Sequence, residues 1–298
     1  WVRSLDFVSV TDAELDNDTY EAAEKQYMQN NPKQAIIGFS GYVAKFPNGI
    51  HSLKANFYLA QLYYSDGQES KSISNYEYVI AQSRSEFHEQ SLMKLAQIFL
   101  KNKEQNKAIL MLSRIETEAD LPQNKTFAIS NLMRCYYENE DYENSVIYAE
   151  KVLENPKTDI SVKSDAQIII ARSAFKTGNL SKARSGYAKL QNTAKGELAA
   201  EALYYDAYFK NQDSKFEDSN TAVQKLAKNY SSYKYFGAKG LVLMAKNFYG
   251  LKDSFQATYI LDNVIQNFTD FPDVVSEAKT ELDMIKSEES KTNSSIGG

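Results

Sequence analysis

Glycine, proline, histidine, cysteine and tryptophan are all scarce in these 298 residues, numbering 12, 5, 2, 1 and 1. So few helix breakers leave little material for a fold of many tight turns and suit helices joined by short ones. The single cysteine, Cys135, excludes an internal disulfide, and its place in a hydrophobic helical pattern reads as a small buried apolar residue. The two histidines, His51 and His88, lack any neighbouring Cys/His ligand spacing, which argues against a structural zinc site. No glycine-rich phosphate loop or nucleophile elbow is present, and with them go the commonest local signatures of catalysis. No apolar run approaches the roughly 18 residues that span a bilayer, and no signal peptide is seen. Lys plus Arg at 34 against Asp plus Glu at 39, a net charge of −5, with no long basic block, argues against nucleic acid as a partner.

What is present is apolar and aromatic: 43% hydrophobic residues, with 21 Tyr and 15 Phe. These residues are periodic. Small side chains recur at Ala35, Ser72, Ala108, Ser145, Ala183, Ser219 and Ala257, separated by 37, 36, 37, 38, 36 and 38 residues. Four residues beyond each stand Phe39, Tyr76, Leu112, Ala149, Tyr187, Val223 and Leu261. Three further on come Tyr42, Val79, Ile115, Val152, Leu190, Leu226 and Val264. The i, i+4, i+7 spacing marks one buried face of a helix, repeated seven times. Between these helices lies a second set with its own stripes, such as Leu59, Ala60 and Tyr63, or Leu132, Met133 and Tyr136. A small residue lets two antiparallel helices approach, and its larger neighbours fill the space around it.

The pattern predicts first helices at 18–28, 52–65, 89–102, 125–139, 161–177, 197–211 and 235–250, and second helices at 32–45, 69–83, 104–118, 141–154, 180–193, 216–229 and 254–268. Gly67 and Gly178 occupy the same turn position, where positive φ ends a helix cheaply. Pro32 opens a second helix, and Pro47, Pro122, Pro156 and Pro272 all follow second helices, so no proline interrupts a helix interior. The chain therefore divides into a partial preceding element or N-terminal cap over 1–15, the repeat array over 16–272, a capping helix over 273–286 carrying Val275, Ala278, Leu282 and Ile285 on one face, and a disordered polar tail over 287–298. Trp1, Leu5, Phe7 and Val8 are too apolar for a free tail and are expected to complete a truncated preceding repeat or to contact the first pair; a truncated repeat would make the natural protein longer than this chain.

The segments LAQLYY (59–64), NYEYVI (75–80), NLMRCYY (131–137) and KFP (45–47), with Gly67, carry a resemblance to the tetratricopeptide repeat family that extends over most of the chain. The period exceeds that family's common 34 residues, and its usual first-helix Trp is missing. The resemblance implies an all-α, right-handed, tetratricopeptide-like superhelical solenoid of about seven helix pairs plus a C-terminal capping helix. The stretch HSLKANFYLAQLYYSDGQESKSISNYEYVI after FPNG is similar to repeats of bacterial cell-envelope tetratricopeptide proteins of Bacteroidetes type. That similarity implies the periplasm or the periplasmic face of the outer membrane, with the cytoplasm as the alternative.

In such proteins the first helices line a concave groove. The register places Tyr27, Tyr64, Leu100, Tyr137, Phe175, Asn211 and Tyr249 in one inner row, and Glu24, Gln61, Gln97, Arg134, Arg172, Tyr208 and Lys246 in another. Tyr204 shares a face with Tyr208 and joins the candidate groove. The aromatic row either grips a partner or packs adjacent pairs together. The second row turns basic toward Arg134, Arg172 and Lys246, which would hold an acidic protein segment or extended peptide, unless these are solvated surface charges. The expected function is thus non-catalytic partner binding without a cofactor or metal. A purely structural segment of a longer multiprotein scaffold is the runner-up. A glycan-binding outer-membrane accessory is a further alternative, although the uniform period leaves little room for long loops carrying aromatic platforms.

Overall fold

The structure, a computed structural model, describes residues 4–296, with side chains from 12 to 291. Fifteen α-helices account for nearly all of the described residues: α1 (Ser4–Met28), α2 (Pro32–Lys45), α3 (Ser52–Ser65), α4 (Glu69–Ala81), α5 (His88–Lys101), α6 (Gln105–Glu118), α7 (Pro122–Glu138), α8 (Tyr142–Glu154), α9 (Ile160–Lys176), α10 (Leu180–Gln191), α11 (Gly196–Gln212), α12 (Phe216–Asn229), α13 (Lys234–Gly250), α14 (Ser254–Asn267) and α15 (Pro272–Ile296). They form two compact units. Unit 1 runs to Asp141 and contains the pairs α1/α2, α3/α4 and α5/α6, followed by α7; unit 2 begins at Tyr142 with α8, continues through α9/α10, α11/α12 and α13/α14, and ends with α15. Within each unit every second helix also packs on the next first helix, as α2 does on α3 and α12 on α13. The fold is the all-α, tetratricopeptide-like class of stacked helix pairs with a capping helix.

The small-residue series organises this packing. All seven of its members, from Ala35 to Ala257, are fully buried, as are the larger residues four and seven positions on. Where the slot holds serine, the hydroxyl needs a partner of its own. Ser72 Oγ donates to the Ala60 carbonyl and Ser219 Oγ to the Ala207 carbonyl, both at 2.8 Å, which lets a polar atom sit at a helix crossing without loss. At Gly38 and Gly186 the helices come closer still. A Cβ there would lie 2.8 Å from the Cβ of Ala23 and of Ala171, respectively.

The turns inside the pairs repeat one geometry. Asn30, Gly67, Lys103, Glu140, Gly178, Ser214 and Lys252 all have φ between 57° and 76°. In each turn this residue's N–H reaches the carbonyl three residues back, and the next N–H reaches the carbonyl five back, as Gly67 does to Tyr64 and Gln68 to Tyr63. This is a Schellman termination, and glycine is its cheapest occupant. Only two of the seven turns use glycine, so the geometry is imposed by the packing on either side.

Two boundaries differ from expectation. α1 begins at Ser4 and takes in most of the stretch read as a separate element over 1–15, because nothing between Ser4 and Met28 is glycine or proline. α15 continues past Lys286 to Ile296, where a disordered tail was expected. Its last buried residue is Ile285, and the Glu- and Lys-rich segment beyond it is helix-compatible and exposed through Lys291. Trp1 lies outside the described residues and Leu5, Phe7 and Val8 outside the described side chains, and with them the contacts expected of all four. Of the four apolar positions assigned to the cap, Ala278, Leu282 and Ile285 are buried and Val275 is half-buried, while Val274 is fully buried.

One half-buried polar cluster in unit 1 predicts a pH effect. Arg114 grips Glu118 through Nε at 2.8 Å and Nη2 at 3.1 Å, and the ring of buried His88 meets the same carboxylate at 2.6 Å. The Arg114 guanidinium foremost, with His88 adding to it, holds the Glu118 carboxyl at about 2. A depressed folded-state value means stability that is full above the ordinary carboxylate range and is lost as pH falls toward 2. The Glu118→Gln variant should therefore lose less in Tm than the parent between pH 5 and pH 2.5; parallel losses would show that Glu118 does not carry this linkage.

Candidate partner-binding faces

In unit 1 the predicted groove residues begin at α1. Glu24 accepts a bond from Lys54 Nζ at 2.9 Å and from the Tyr20 hydroxyl at 2.8 Å, and chiefly the Lys54 ammonium keeps its carboxyl below the usual range. Tyr27 is half-buried, stacked on Tyr58 with centroids 4.5 Å apart, and its hydroxyl donates to Gln61 Oε1 at 3.2 Å. The Tyr27–Gln61 couple thus ties α1 to α3. Tyr64 is different: it is 40% exposed, with the Lys101 ammonium 5.9 Å from its ring centre. Gln97 on α5 is exposed as well.

A cavity of about 470 Å³ lies between α5, the start of α6 and α7, lined by Phe99, Leu100, Lys103, Arg134, Cys135 and Glu138 among others. Phe99, Leu100 and Cys135 make an apolar floor, and Lys103 and Arg134 bring two cations to its wall. Gln105 Nε2 donates to Glu138 at 2.8 Å. Burial pushes the Cys135 thiol up to about 11, so it stays protonated and unreactive at neutral pH. Tyr137 is half-buried near the end of α7.

In unit 2 the predicted residues are occupied by the chain itself. Arg172 makes a two-pronged contact with Glu201, Nε to Oε1 at 2.8 Å and Nη2 to Oε2 at 2.5 Å. Glu201 is only 3% exposed and also accepts the Tyr187 hydroxyl at 3.0 Å. Phe175 packs edge-on against Tyr205 and Tyr208, at 4.8 and 5.4 Å. Tyr204 is buried, 6.1 Å from Phe236 between ring centres, with Lys239 lying over its ring at 5.0 Å. Tyr204 and Tyr208 therefore serve helix packing, Tyr204 toward α13 and Tyr208 toward α9. Lys246 is held by Glu277 at 2.7 Å and Glu281 at 3.1 Å, and Tyr249 donates to Glu288, so α15 covers the predicted groove residues of α13.

A regularity missed in the sequence occurs in both units. Glu24 pairs with Lys54, Arg172 with Glu201 and Lys246 with Glu277, always across from one first helix to the next and 29 to 31 residues apart. The charge signs reverse between the first pair and the other two while the geometry persists. A scan for opposite charges at this separation would have found all three, and Lys103 could have been found from its register with Gly67 and Gly178. Among the described residues no group of three His, Cys, Asp or Glu side chains could hold a metal ion, and no helix is long and apolar enough to cross a membrane.

No family model matches the chain, and no curated protein matches it in sequence. Among solved structures it is similar to a tetratricopeptide repeat protein from Parabacteroides merdae, 12% identical over 89% of this chain and 98% of that one, with a TM-score of 0.42. It is also similar to the TPR2AB domain of yeast Sti1 in a complex with pHSP90, at 14% identity, 93% and 99% coverage and a TM-score of 0.39. A third is yeast Tom70, at 12% identity, 86% and 60% coverage and a TM-score of 0.44. At these identities the likeness concerns fold alone.

Proposed function

We propose that this chain is a non-catalytic protein-interaction scaffold whose partner face lies in unit 1, around Tyr64, Gln97 and the cavity between α5 and α7. The observation that carries this reading is a contrast in occupancy. In unit 2 Arg172, Phe175, Tyr204, Tyr208, Lys246 and Tyr249 are all engaged by neighbouring helices, whereas in unit 1 Tyr64 and Gln97 are exposed, and a cavity lined by Phe99, Leu100, Lys103, Arg134 and Glu138 opens between α5 and α7. An extended protein segment fits such a face: an apolar side chain fills the floor formed by Phe99 and Leu100, and an acidic side chain meets Lys103 and Arg134. The compartment proposed is the bacterial periplasm or the periplasmic face of the outer membrane, on the similarity of residues 51–80 to envelope repeats.

The test is selection of peptides from a displayed library on the folded chain, followed by titration against variants. Tyr64→Ala/Gln97→Ala and Lys103→Glu should each weaken the selected peptides by about tenfold or more, roughly 1.4 kcal/mol. Lys246→Ala and Tyr249→Phe should leave binding within about twofold. Equal losses at the two sets would sink the assignment to unit 1, and enrichment of peptides without acidic residues would remove the role given to Lys103.

A further inference from the structure

The second helices turn their outer faces to solvent, and one of these faces is unlike the rest. On α14, Phe255 is 80% exposed and Tyr259, one turn on, is 63% exposed. The equivalent positions, two before and two after the small-residue slot, are Lys33/Ile37, Ser70/Ser74, Asn106/Leu110, Glu143/Ile147, Ser181/Ser185 and Glu217/Thr221. The first of each couple is polar in all six, so the repeat itself does not call for an apolar residue there. Two neighbouring aromatic rings in water are a cost that a covering surface removes.

The charges around the rings identify what covers them. Lys252, in the turn before α14, and Asp262, past its middle, are both exposed and have no ion-pair partner among the described residues. They stand five residues to either side of Ala257, as Phe255 and Tyr259 stand two to either side of it. The strip made by turn residue Lys252 and by Phe255, Tyr259 and Asp262 of α14 is complementary to an antiparallel copy of itself: about a two-fold axis level with residue 257, Phe255 faces Tyr259 and the end carrying Lys252 faces the end carrying Asp262. We propose that the outer face of α14 is a self-association surface for a second copy of this chain. In that pairing Phe255 packs on Tyr259 of the partner subunit, and Lys252 meets Asp262 of the partner subunit, twice over by symmetry. One helix face falls below the area of standard interfaces, so the dimer is reversible, with a midpoint in the micromolar range. The partner face in unit 1 takes no part in it.

Sedimentation velocity of the full chain across the micromolar range tests this, with circular dichroism as a check on folding. The parent should pass from monomer to dimer with concentration. Phe255→Ser/Tyr259→Ser should weaken association by at least about tenfold, and Lys252→Glu or Asp262→Lys alone by roughly tenfold. The combined Lys252→Glu/Asp262→Lys exchange should restore it to within about threefold of the parent, because the pairs re-form with signs reversed. A parent that stays monomeric, a dimer indifferent to loss of both rings, or a combined exchange no better than the single ones would each overturn the proposal.

Discussion

Tyr42→Ala is expected to cost roughly 3–5 kcal/mol, and to loosen α1, α2 and α3 while leaving the helices of unit 2 close to unchanged. Tyr42 is fully buried, edge-on to Tyr20 at 5.7 Å and 5.6 Å from Phe46 between ring centres. Its hydroxyl does more than fill space. It donates to Asp16 Oδ1 at 2.5 Å and accepts the backbone N–H of His51 at 3.0 Å, while Asp16 Oδ2 accepts the N–H of Ile50 at 3.1 Å. One side chain of α2 therefore joins α1 to the loop that opens α3. Gly49 shows how tightly this loop is drawn in, since a Cβ there would fall 2.5 Å from both Asp16 Oδ2 and the Tyr42 oxygen. Tyr42→Phe separates the two contributions: it keeps the ring but leaves Asp16 and the His51 N–H short of a partner, for about 1–3 kcal/mol. Because stacked pairs touch only their neighbours, hydrogen exchange should accelerate in α1–α3 far more than in α11–α14. Uniform acceleration along the chain would refute that local character.

The position of Tyr42 was legible in the sequence, and its partners were not. Periodicity marks which residues face inward, and all of those marked by the series from Ala35 to Val264 are buried. Periodicity also located the turns, because Gly67 and Gly178 signal the left-handed position outright. The five other turns adopt the same φ with Asn30, Lys103, Glu140, Ser214 and Lys252, whose identities do not announce it. Packing on both sides overrides local preference there. Asp16 is a further case: read along α1 it is one acid among several, yet it is buried because a tyrosine 26 residues away supplies the donor. Contacts between helices depend on which face of the next helix arrives opposite, and a row read along one face does not contain that information.

The same limit shaped the candidate site. Reading Glu24, Gln61, Gln97, Arg134, Arg172 and Lys246 as a row invites the picture of a ligand lying along it. Reading from each helix to the next shows that three of these charges already have partners in the chain. An internal carboxylate is permanently at hand, whereas a ligand must first lose its translational freedom, so Arg172 and Lys246 favour their own helices over a peptide. The partner face proposed in unit 1 draws instead on exposed Gln97 and on the cavity between α5 and α7, where Phe99 and Leu100 offer apolar surface.

Arg172→Met should be the most damaging substitution among the predicted groove residues, at roughly 3 kcal/mol, and damaging to folding rather than to recognition. The Glu201 side chain is 5% exposed, and without the guanidinium it keeps only the Tyr187 hydroxyl. A buried carboxylate stripped of its cation loses several kcal/mol, and the Arg172 side chain, 38% exposed, places this pair toward the lower end of that range. Glu201→Gln should cost less, about 1–2 kcal/mol, because an amide oxygen can still accept from Tyr187 while Arg172 turns to water. Combining the two removes the stranded charge, so Arg172→Met/Glu201→Gln should be more stable than Arg172→Met alone, with a coupling of about 1–3 kcal/mol in urea titrations. Additive costs would mean that the two side chains do not depend on each other. Any loss of partner binding in Arg172→Met must then be set against its fraction folded, and where the folded molecules bind with unchanged affinity, Arg172 belongs to the stacking of α9 on α11 and not to the partner face.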